Sequence, residues 1–555
     1  MSTSTFNIYN ASAGSGKTFT LVKDYLKIVL TSKEFLPHRH VLAITFTNKA
    51  VDEMKTRIVE ALMTFSAPSI LVQSDPLFDQ VVSELESSPK EIHFKSKKLL
   101  SKILHNYAAF DISTIDKFTQ KLIRTFAFDL KLPMNFEVEL DTNLLLQKAV
   151  SRLLSKAGKN KALTKVLVAF AIEKADDDKS WNIALDLVKT AKLLTTESDA
   201  PFLEELAQRS IQDFGRLKST VIKDISETEV QVVALSTQIL ELITASGIEF
   251  SDFTRGSLPK HFKSLVSRKF DLSFTNQWQQ SIETTSLYPK KAPPNIASAI
   301  DELRPQLIEA FHKTKEAVFW IRYLKNTRKN ATPLSVLNLI NQELKTIKDE
   351  ENLLIISEFN SIISQQIKDQ PAPFIYERIG EKFNHFFIDE FQDTSELQWQ
   401  NLAPLLTNTL AEEHGSAMLV GDAKQAIYRW RGGKAEQFIN LSNNSTPFSF
   451  DATLSHLPTN FRSARQVVDF NNKFFKHLST VVFSNDVYKS LYQSPPQLEH
   501  NDKTGYVNVS FLEFEKGDDK SLKYAEKVLE IIRSYLDSNK KAALRDICVL
   551  VRKRK

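Results

Sequence analysis

Near its start the chain runs Phe6-Asn-Ile-Tyr-Asn10 and then Ala11-Ser-Ala-Gly-Ser-Gly16-Lys17-Thr18. A short, half-apolar strand, a run of small residues and an inward-facing pattern of Leu21, Val22, Tyr25, Leu26 and Val29 make a strand–loop–helix unit. Small side chains at Ala11, Ser12, Ala13, Gly14, Ser15 and Gly16 would let backbone N–H groups close around phosphates. Lys17 would reach the β- and γ-phosphates and the Thr18 hydroxyl would ligate Mg2+. The helix that follows adds the positive end of its dipole. A ligand-free glycine-rich turn is the simpler alternative.

Other apolar runs repeat the pattern. His40-Val-Leu-Ala-Ile-Thr-Phe46 leads into a helix with Ala50, Met54, Ile58 and Leu62 on one face. His385-Phe-Phe-Ile388 ends at Asp389-Glu390, and Ser416-Ala-Met-Leu-Val420 ends at Gly421-Asp422. Buried strands alternating with helices predict an α/β fold, a parallel sheet with ligands at the carboxyl ends of its strands. At 555 residues the chain exceeds one ordinary core, so about two to four domains are expected.

Between about 127 and 372 glycines are few and apolar residues recur at helical spacing, as in 144–158 and 167–194. This predicts a helical subdomain inserted into the α/β one, broken by an exposed loop at 287–295. The expected division is 1–126, 127–372, 373–445 and 446–555. The last part carries an alternating strand at 506–514, an amphipathic helix at about 521–537 and a strand at 546–552. A domain rarely stops on a strand that needs neighbours, so this one is expected to be unfinished.

Bulk properties exclude some classes. Apolar content of 42% with 25% charged residues is that of a soluble globular protein. A formal charge of +5 permits a nucleic-acid partner without requiring one. The single cysteine, Cys548, excludes a disulfide framework and a Cys-based zinc site, and fits a reducing compartment. The N-terminus has no signal-peptide pattern, and no apolar run approaches the roughly eighteen residues of a membrane span. A cytoplasmic protein without a membrane partner is expected.

A phosphate loop needs a carboxylate element, and 385–393 supplies one. Asp389 would hold Mg2+ directly or through water, and Glu390 would polarise the attacking water. Acidic residues capping a surface strand are the alternative. In 416–433, Gln425 offers an amide able to sense a γ-phosphate, followed by Tyr428, Arg429, Trp430 and Arg431. Aromatics interleaved with arginine suit stacked single-stranded bases. A Tyr/Trp core with surface arginines stays open.

Segments 11–18, 41–58, 112–118, 386–396, 420–433 and 459–463 fall in the order seen in superfamily 1 helicases. The sequence resembles the UvrD/RecB-type enzymes, nearest to their AddA/RecB-like helicase–nuclease branch. That resemblance implies a RecA-like core and the start of a second RecA-like domain. It implies ATP and Mg2+ as cofactors, with Lys17, Thr18, Asp389 and Glu390 as phosphate, magnesium and base residues and Gln425 at the γ-phosphate. Arg462 matches an arginine finger, Phe461 an adenine-stacking aromatic, and Arg57 a further phosphate contact. Phe46, Thr47, Asn48, Thr114, Asp116, Tyr428, Trp430 and Arg431 match DNA-binding positions, and Arg429 is a weaker match.

The function so implied is ATP-dependent translocation on single-stranded DNA and unwinding at single-strand/duplex junctions, 3′ to 5′ by analogy. The expected setting is double-strand-break processing or repair, with a nuclease or helicase partner protein. The glutamine that reads adenine in many relatives has no counterpart before Ala11. A nucleotide-gated DNA-binding or scaffold component of a helicase–nuclease complex is the runner-up. A phosphate-loop ATPase or kinase with no DNA partner would leave 428–431 unexplained.

Overall fold

The computed structural model describes residues 5–551, except 134, 140, 177–180, 369–378, 380–381, 444, 446, 449, 494–495, 502, 516 and 540. Its strands are β1 (Phe6–Ala11), β2 (Val41–Thr45), β3 (Ile112–Thr114), β4 (Glu137–Glu139), β5 (Leu353–Ile355), β6 (His385–Ile388), β7 (Ser416–Gly421), β8 (Thr453–Leu457), β9 (Thr459–Ala464) and β10 (Leu498–Asn501). A six-stranded sheet runs in the order β3-β2-β6-β7-β1-β8. The pairs β2/β3, β2/β6, β6/β7 and β7/β1 are parallel. The fold is α/β, as expected.

Every residue of β2 is buried, and so is all of β7 after Ser416. A parallel strand covered on both faces reads as a continuous apolar run rather than an alternating one, which is why these runs stand out in the sequence. Ile44 lies opposite Ile388, Ile388 opposite Leu419, and Leu419 opposite Ile8. Helix α1 (Lys17–Thr31) buries Leu21, Val22, Tyr25, Leu26 and Val29, the face expected of it. Helix α2 (Asn48–Ser66) buries Met54, Ile58 and Leu62, while Ala50 is half-buried.

The chain between β3 and β6 is mostly helical. The helices Ile211–Ala245 and Pro294–Ser335 share a core that includes Ile239, Ile243, Phe262, Phe311 and Val318. Ser210 starts the first of them with a capping box to Asp213, which satisfies N–H groups that the helix cannot pair itself. A second cluster joins Leu145, Leu153, Phe170, Ile340 and Leu344. Of the exposed loop expected at 287–295, residues 287–293 are non-helical with Lys290 and Lys291 exposed, but Leu287 is buried and Pro294 and Asn295 already begin the helix Pro294–Ser335. Residues 374–378, 380 and 381 of the return segment lie outside the described residues.

Two expected strands are absent. Residues 506–514 and 546–551 form no strand, although the helix between them is present as Lys520–Ser538. Alternation makes a segment fit for a sheet, but a ladder needs a neighbouring backbone, and none pairs with these segments among the described residues. Tyr506 and Phe511 are exposed accordingly.

By its contacts the chain divides into two compact units, one of residues 1–10 and 18–456, the other of 11–17 and 457–555. Among the described residues no helix is long and apolar enough to cross a membrane.

His385, at the start of β6, carries a pH-dependent part of the stability. Its Nδ1 lies 2.9 Å from Ser416 Oγ. Burial, then His40 and His414, push its pKa down from 6.5 to about 4. A depressed pKa means that the neutral ring is favoured in the fold. The contribution is complete above pH 6.5 and is lost as pH falls through about 4. It is on the order of 3 kcal/mol. His385→Gln should flatten the fall in unfolding free energy between pH 7 and pH 4.5, measured by urea titration; an unchanged fall would show that other groups carry it.

Candidate functional site

In the unit of residues 11–17 and 457–555, the small-residue loop is held by backbone and amide contacts. Phe461 N–H donates to Gly14 O at 2.8 Å. Asn460 Nδ2 and Gln497 Nε2 both donate to Ala13 O, at 3.3 and 3.0 Å. Gly14 has φ +79°, and a Cβ there would lie 2.6 Å from Asn460 Oδ1. Gly16, at φ +82°, would place a Cβ 3.5 Å from the Phe461 ring. Both the left-handed backbone and the close approach therefore call for glycine at Gly14.

Ser15 is 4% exposed, and its Oγ has no hydrogen-bond partner among the described residues. A buried hydroxyl without a partner is costly in a closed loop and fits a loop shaped for a ligand rich in acceptors. Helix α1 begins at Lys17 and has no acidic residue in its first turn, so its N-terminal dipole is not offset there. Ala11 ends β1 and is buried, Ser12 and Ala13 follow in the loop, and Thr18 is the second residue of α1.

In the same unit Phe461 is half-exposed, with its ring centroid 4.6 Å from that of His500. Asn460 Oδ1 accepts from the N–H groups of Arg462 and Ser463, both at 2.9 Å, and so shapes the backbone that presents the exposed Arg462.

In the other unit, the carboxylate element follows β6. Asp389 N–H donates to Ile44 O at 2.9 Å, fixing the end of β6 against β2. Glu390 adopts φ +53°, a left-handed conformation uncommon for a residue with a side chain. Its N–H donates to Asp389 Oδ1 at 2.9 Å. Among the described residues no group of three or more His, Cys, Asp or Glu is placed to hold a metal. Thr18 and Asp389, the residues expected at Mg2+, each offer the hard oxygen donor that this cation takes.

Nothing in the sequence pattern singles out Gln392, yet it joins the elements that the pattern does mark. Its Nε2 donates to Glu390 Oε2 at 2.7 Å, and its Oε1 accepts from Asp422 N–H at 3.0 Å. Asp422 Oδ2 accepts from Gln425 Nε2 at 2.9 Å. One buried amide thus connects the expected base to the expected γ-phosphate sensor. Gly421 makes room for it, since a Cβ there would lie 2.7 Å from Gln392 Oε1.

The aromatic residues form a second constellation. Phe46 and Tyr428 have ring centroids 4.4 Å apart, and Tyr428 and Trp430 6.2 Å apart. Arg431 lies over Phe46 at 5.3 Å and over Trp430 at 5.9 Å. Trp430 is 74% exposed, which removes the core alternative for that residue. Arg431 also meets Asp116 at 3.6 Å, while Arg429 pairs with Glu436. Burial raises the pKa of Asp116, and Arg431 opposes that shift.

Thr47 and Thr114 serve as helix caps, accepting from the N–H groups of Ala50 at 3.2 Å and Lys117 at 3.3 Å. Thr47 and Asn48 are exposed beside Phe46, whereas Thr114 is buried. Arg57, expected as a further phosphate contact, pairs with Glu53 at 2.7 Å on the exposed face of α2.

A sequence profile described as "UvrD/REP helicase N-terminal domain" matches residues 2–446. The A subunit of the ATP-dependent helicase/nuclease from Lactobacillus gasseri is 25% identical over 518 residues, covering 87% of this chain and 40% of that protein. The protein of the same name from Listeria innocua is 23% identical, covering 98% and 46%. That from Streptococcus agalactiae serotype III is 24% identical, covering 99% and 45%. The chain therefore spans less than half the length of these curated relatives.

The geometry around Gln392 makes a prediction about stability. Gln392→Leu keeps the volume but leaves Glu390 Oε2 and Asp422 N–H without this partner, at a cost of about 1–3 kcal/mol. Urea unfolding should show it. A loss within error of zero would mean that the amide is dispensable to the fold.

Proposed function

The chain belongs to the UvrD/REP helicase family, and on that premise we propose that it is the N-terminal part of an ATP-driven translocase and helicase acting on single-stranded DNA. The observation that carries this reading is the placement of both functions on one short segment. Gln425, tied through Asp422 and Gln392 to Glu390, stands three residues before Tyr428, whose ring packs on Phe46 beside exposed Trp430. A change of phosphate contacts at Gln425 is thereby passed directly to a base-stacking platform.

The proposed roles follow from the side chains. Lys17 and the loop N–H groups bind the phosphates. Glu390 accepts a proton from the attacking water, oriented by its bond from Gln392. Arg462 offsets the charge that develops on the transferring phosphoryl, and Phe461 stacks on the base. Thr18 and Asp389 would hold Mg2+, which would supply Lewis-acid charge at the phosphates. Phe46, Tyr428 and Trp430 stack on bases, with Arg431 adding cationic contact.

The wider setting is part of the same proposal. The division at 1–126, 127–372, 373–445 and 446–555 makes two motor domains, the first carrying the helical insertion. The curated relatives are each named as one subunit of a helicase/nuclease, which supports a partner protein for this chain too. Movement 3′ to 5′ and a role at single-strand/duplex junctions in break repair rest on the family analogy, and a cytoplasmic location rests on the cysteine usage.

The first test is ATP turnover with and without single-stranded DNA, at low salt because phosphate contacts weaken as salt rises. DNA-stimulated turnover is expected, and nucleotide binding with no response to DNA would count against the coupling. Glu390→Gln should bind nucleotide but turn over at least about a hundredfold more slowly; retained turnover would remove Glu390 as base. Trp430→Ala should weaken single-strand binding by roughly 1–3 kcal/mol in a fluorescence titration, and an unchanged midpoint would exclude it as a stacking residue.

A further inference from the structure

We propose that Glu197 is a positioning residue through which the helical region between β3 and β6 sets the segment that leaves the carboxylate motif. Glu197 lies on a single helical turn, Glu197–Asp199, far in sequence from every motif discussed above. Both of its oxygens are used. Ser395 Oγ donates to Oε1, and Asn360 Nδ2 donates to Oε2 at 3.0 Å. Ser395 and Asn360 are buried. Asn360 is itself held to the helix Glu396–Ala411, since Asn401 Nδ2 donates to its carbonyl oxygen at 2.9 Å.

Ser395 is a junction. It caps the helix Glu396–Ala411, accepting from Gln398 N–H at 3.2 Å, while its own N–H donates to Gln398 Oε1 at 2.9 Å. Its backbone forms an antiparallel bridge with Gly433, just beyond Arg431. Thr394 O accepts from Lys434 N–H at 3.1 Å and from Gln437 Nε2 at 3.0 Å. Gln398 Nε2 reaches on to Asp116 Oδ1 at 3.4 Å, and Asp116 meets Arg431. Hydrogen bonds therefore run from Glu197 through Ser395 and Gln398 to Asp116, whose ion pair with Arg431 reaches the aromatic cluster, and the backbone runs from Ser395 back to Gln392 and Glu390.

A half-buried carboxylate costs solvation that a plain packing contact would not, so its two buried donors point to a role in fixing register. Donation from Ser395 Oγ to Glu197 also turns the hydroxyl lone pairs toward Gln398 N–H, so the tether and the helix cap reinforce each other. Removing Glu197 leaves the capping box intact but frees the helix start from the helical region. Coupling between strand binding and turnover should suffer, rather than folding or binding. This inference rests on the motor reading proposed above, and its test separates the two.

Amide hydrogen exchange in peptides covering 390–398 and 428–434 is compared for the parent chain and Glu197→Ala, without nucleotide or DNA. Exchange should rise by about threefold to tenfold in the variant, in line with local opening free energies and network couplings. Unchanged exchange overturns the tether whatever the activity. ATP turnover is then titrated with single-stranded DNA. Turnover without DNA should match the parent. The DNA-stimulated kcat should fall about threefold or more with the DNA midpoint unmoved, and Glu197→Gln, which keeps one acceptor oxygen, should fall between. Faster exchange with full stimulation overturns the coupling role. A parent chain that DNA does not stimulate sinks the motor reading, and the exchange result alone then decides the tether.

Discussion

A single buried amide holds the chemistry of the larger unit together. Gln392 is 1% exposed and uses both ends, donating to Glu390 and accepting from Asp422 N–H. An amide can do this where a carboxylate or an ammonium cannot, because it is donor and acceptor at once and carries no charge to bury. The arrangement depends on β6 and β7 being parallel neighbours, so that the residues leaving both strands emerge on the same side. It also depends on Gly421, which leaves space for the amide oxygen. Glu390 itself sits in a left-handed conformation, and such positions persist where surrounding contacts over-determine them.

What is legible in the sequence is local. The buried face of α1 and the apolar runs of β2, β6 and β7 are visible because their patterns lie within a few residues. The glycines at Gly14 and Gly16 are legible for the same reason, since loop chemistry is written in residue type. Their left-handed φ values and the packing of Asn460 and Phe461 on the loop add the steric reason. The roles of Thr47 and Thr114 are legible only in part. Family likeness places them near DNA, while the structure occupies their hydroxyls in capping α2 and the helix Ile115–Thr125. The two caps fix the backbone beside Phe46 and just before Asp116.

What is not legible depends on partners distant in the chain. The alternation at 506–514 is real, but strand formation is decided by whether another backbone arrives to pair with it. Glu197 and Ser395 are 198 residues apart, and no local pattern marks either as half of a pair. Gln398 looks like an ordinary capping-box residue until its second contact, to Asp116, is seen. Trp430 is ambiguous for the opposite reason. Residue type fixes its affinity for rings but not the side of the surface on which it lies, and only its exposure decides.

The carboxylates around the aromatic cluster give the site its electrostatic character. Asp116 repels a phosphate, so beside Arg431 its use is to orient the guanidinium and to accept from Gln398. Arg429 is held in the same manner by Glu436. Two arginines restrained by acidic partners present oriented donors and flat cationic faces, while their net attraction for a phosphate backbone is largely offset. Binding at this cluster would then draw most of its strength from stacking on Phe46, Tyr428 and Trp430, which tolerates any base and survives salt better than a phosphate contact does. On the function proposed, that balance would suit a surface that holds a strand and releases it again. A cluster of unrestrained arginines would grip the backbone more tightly and let go more slowly.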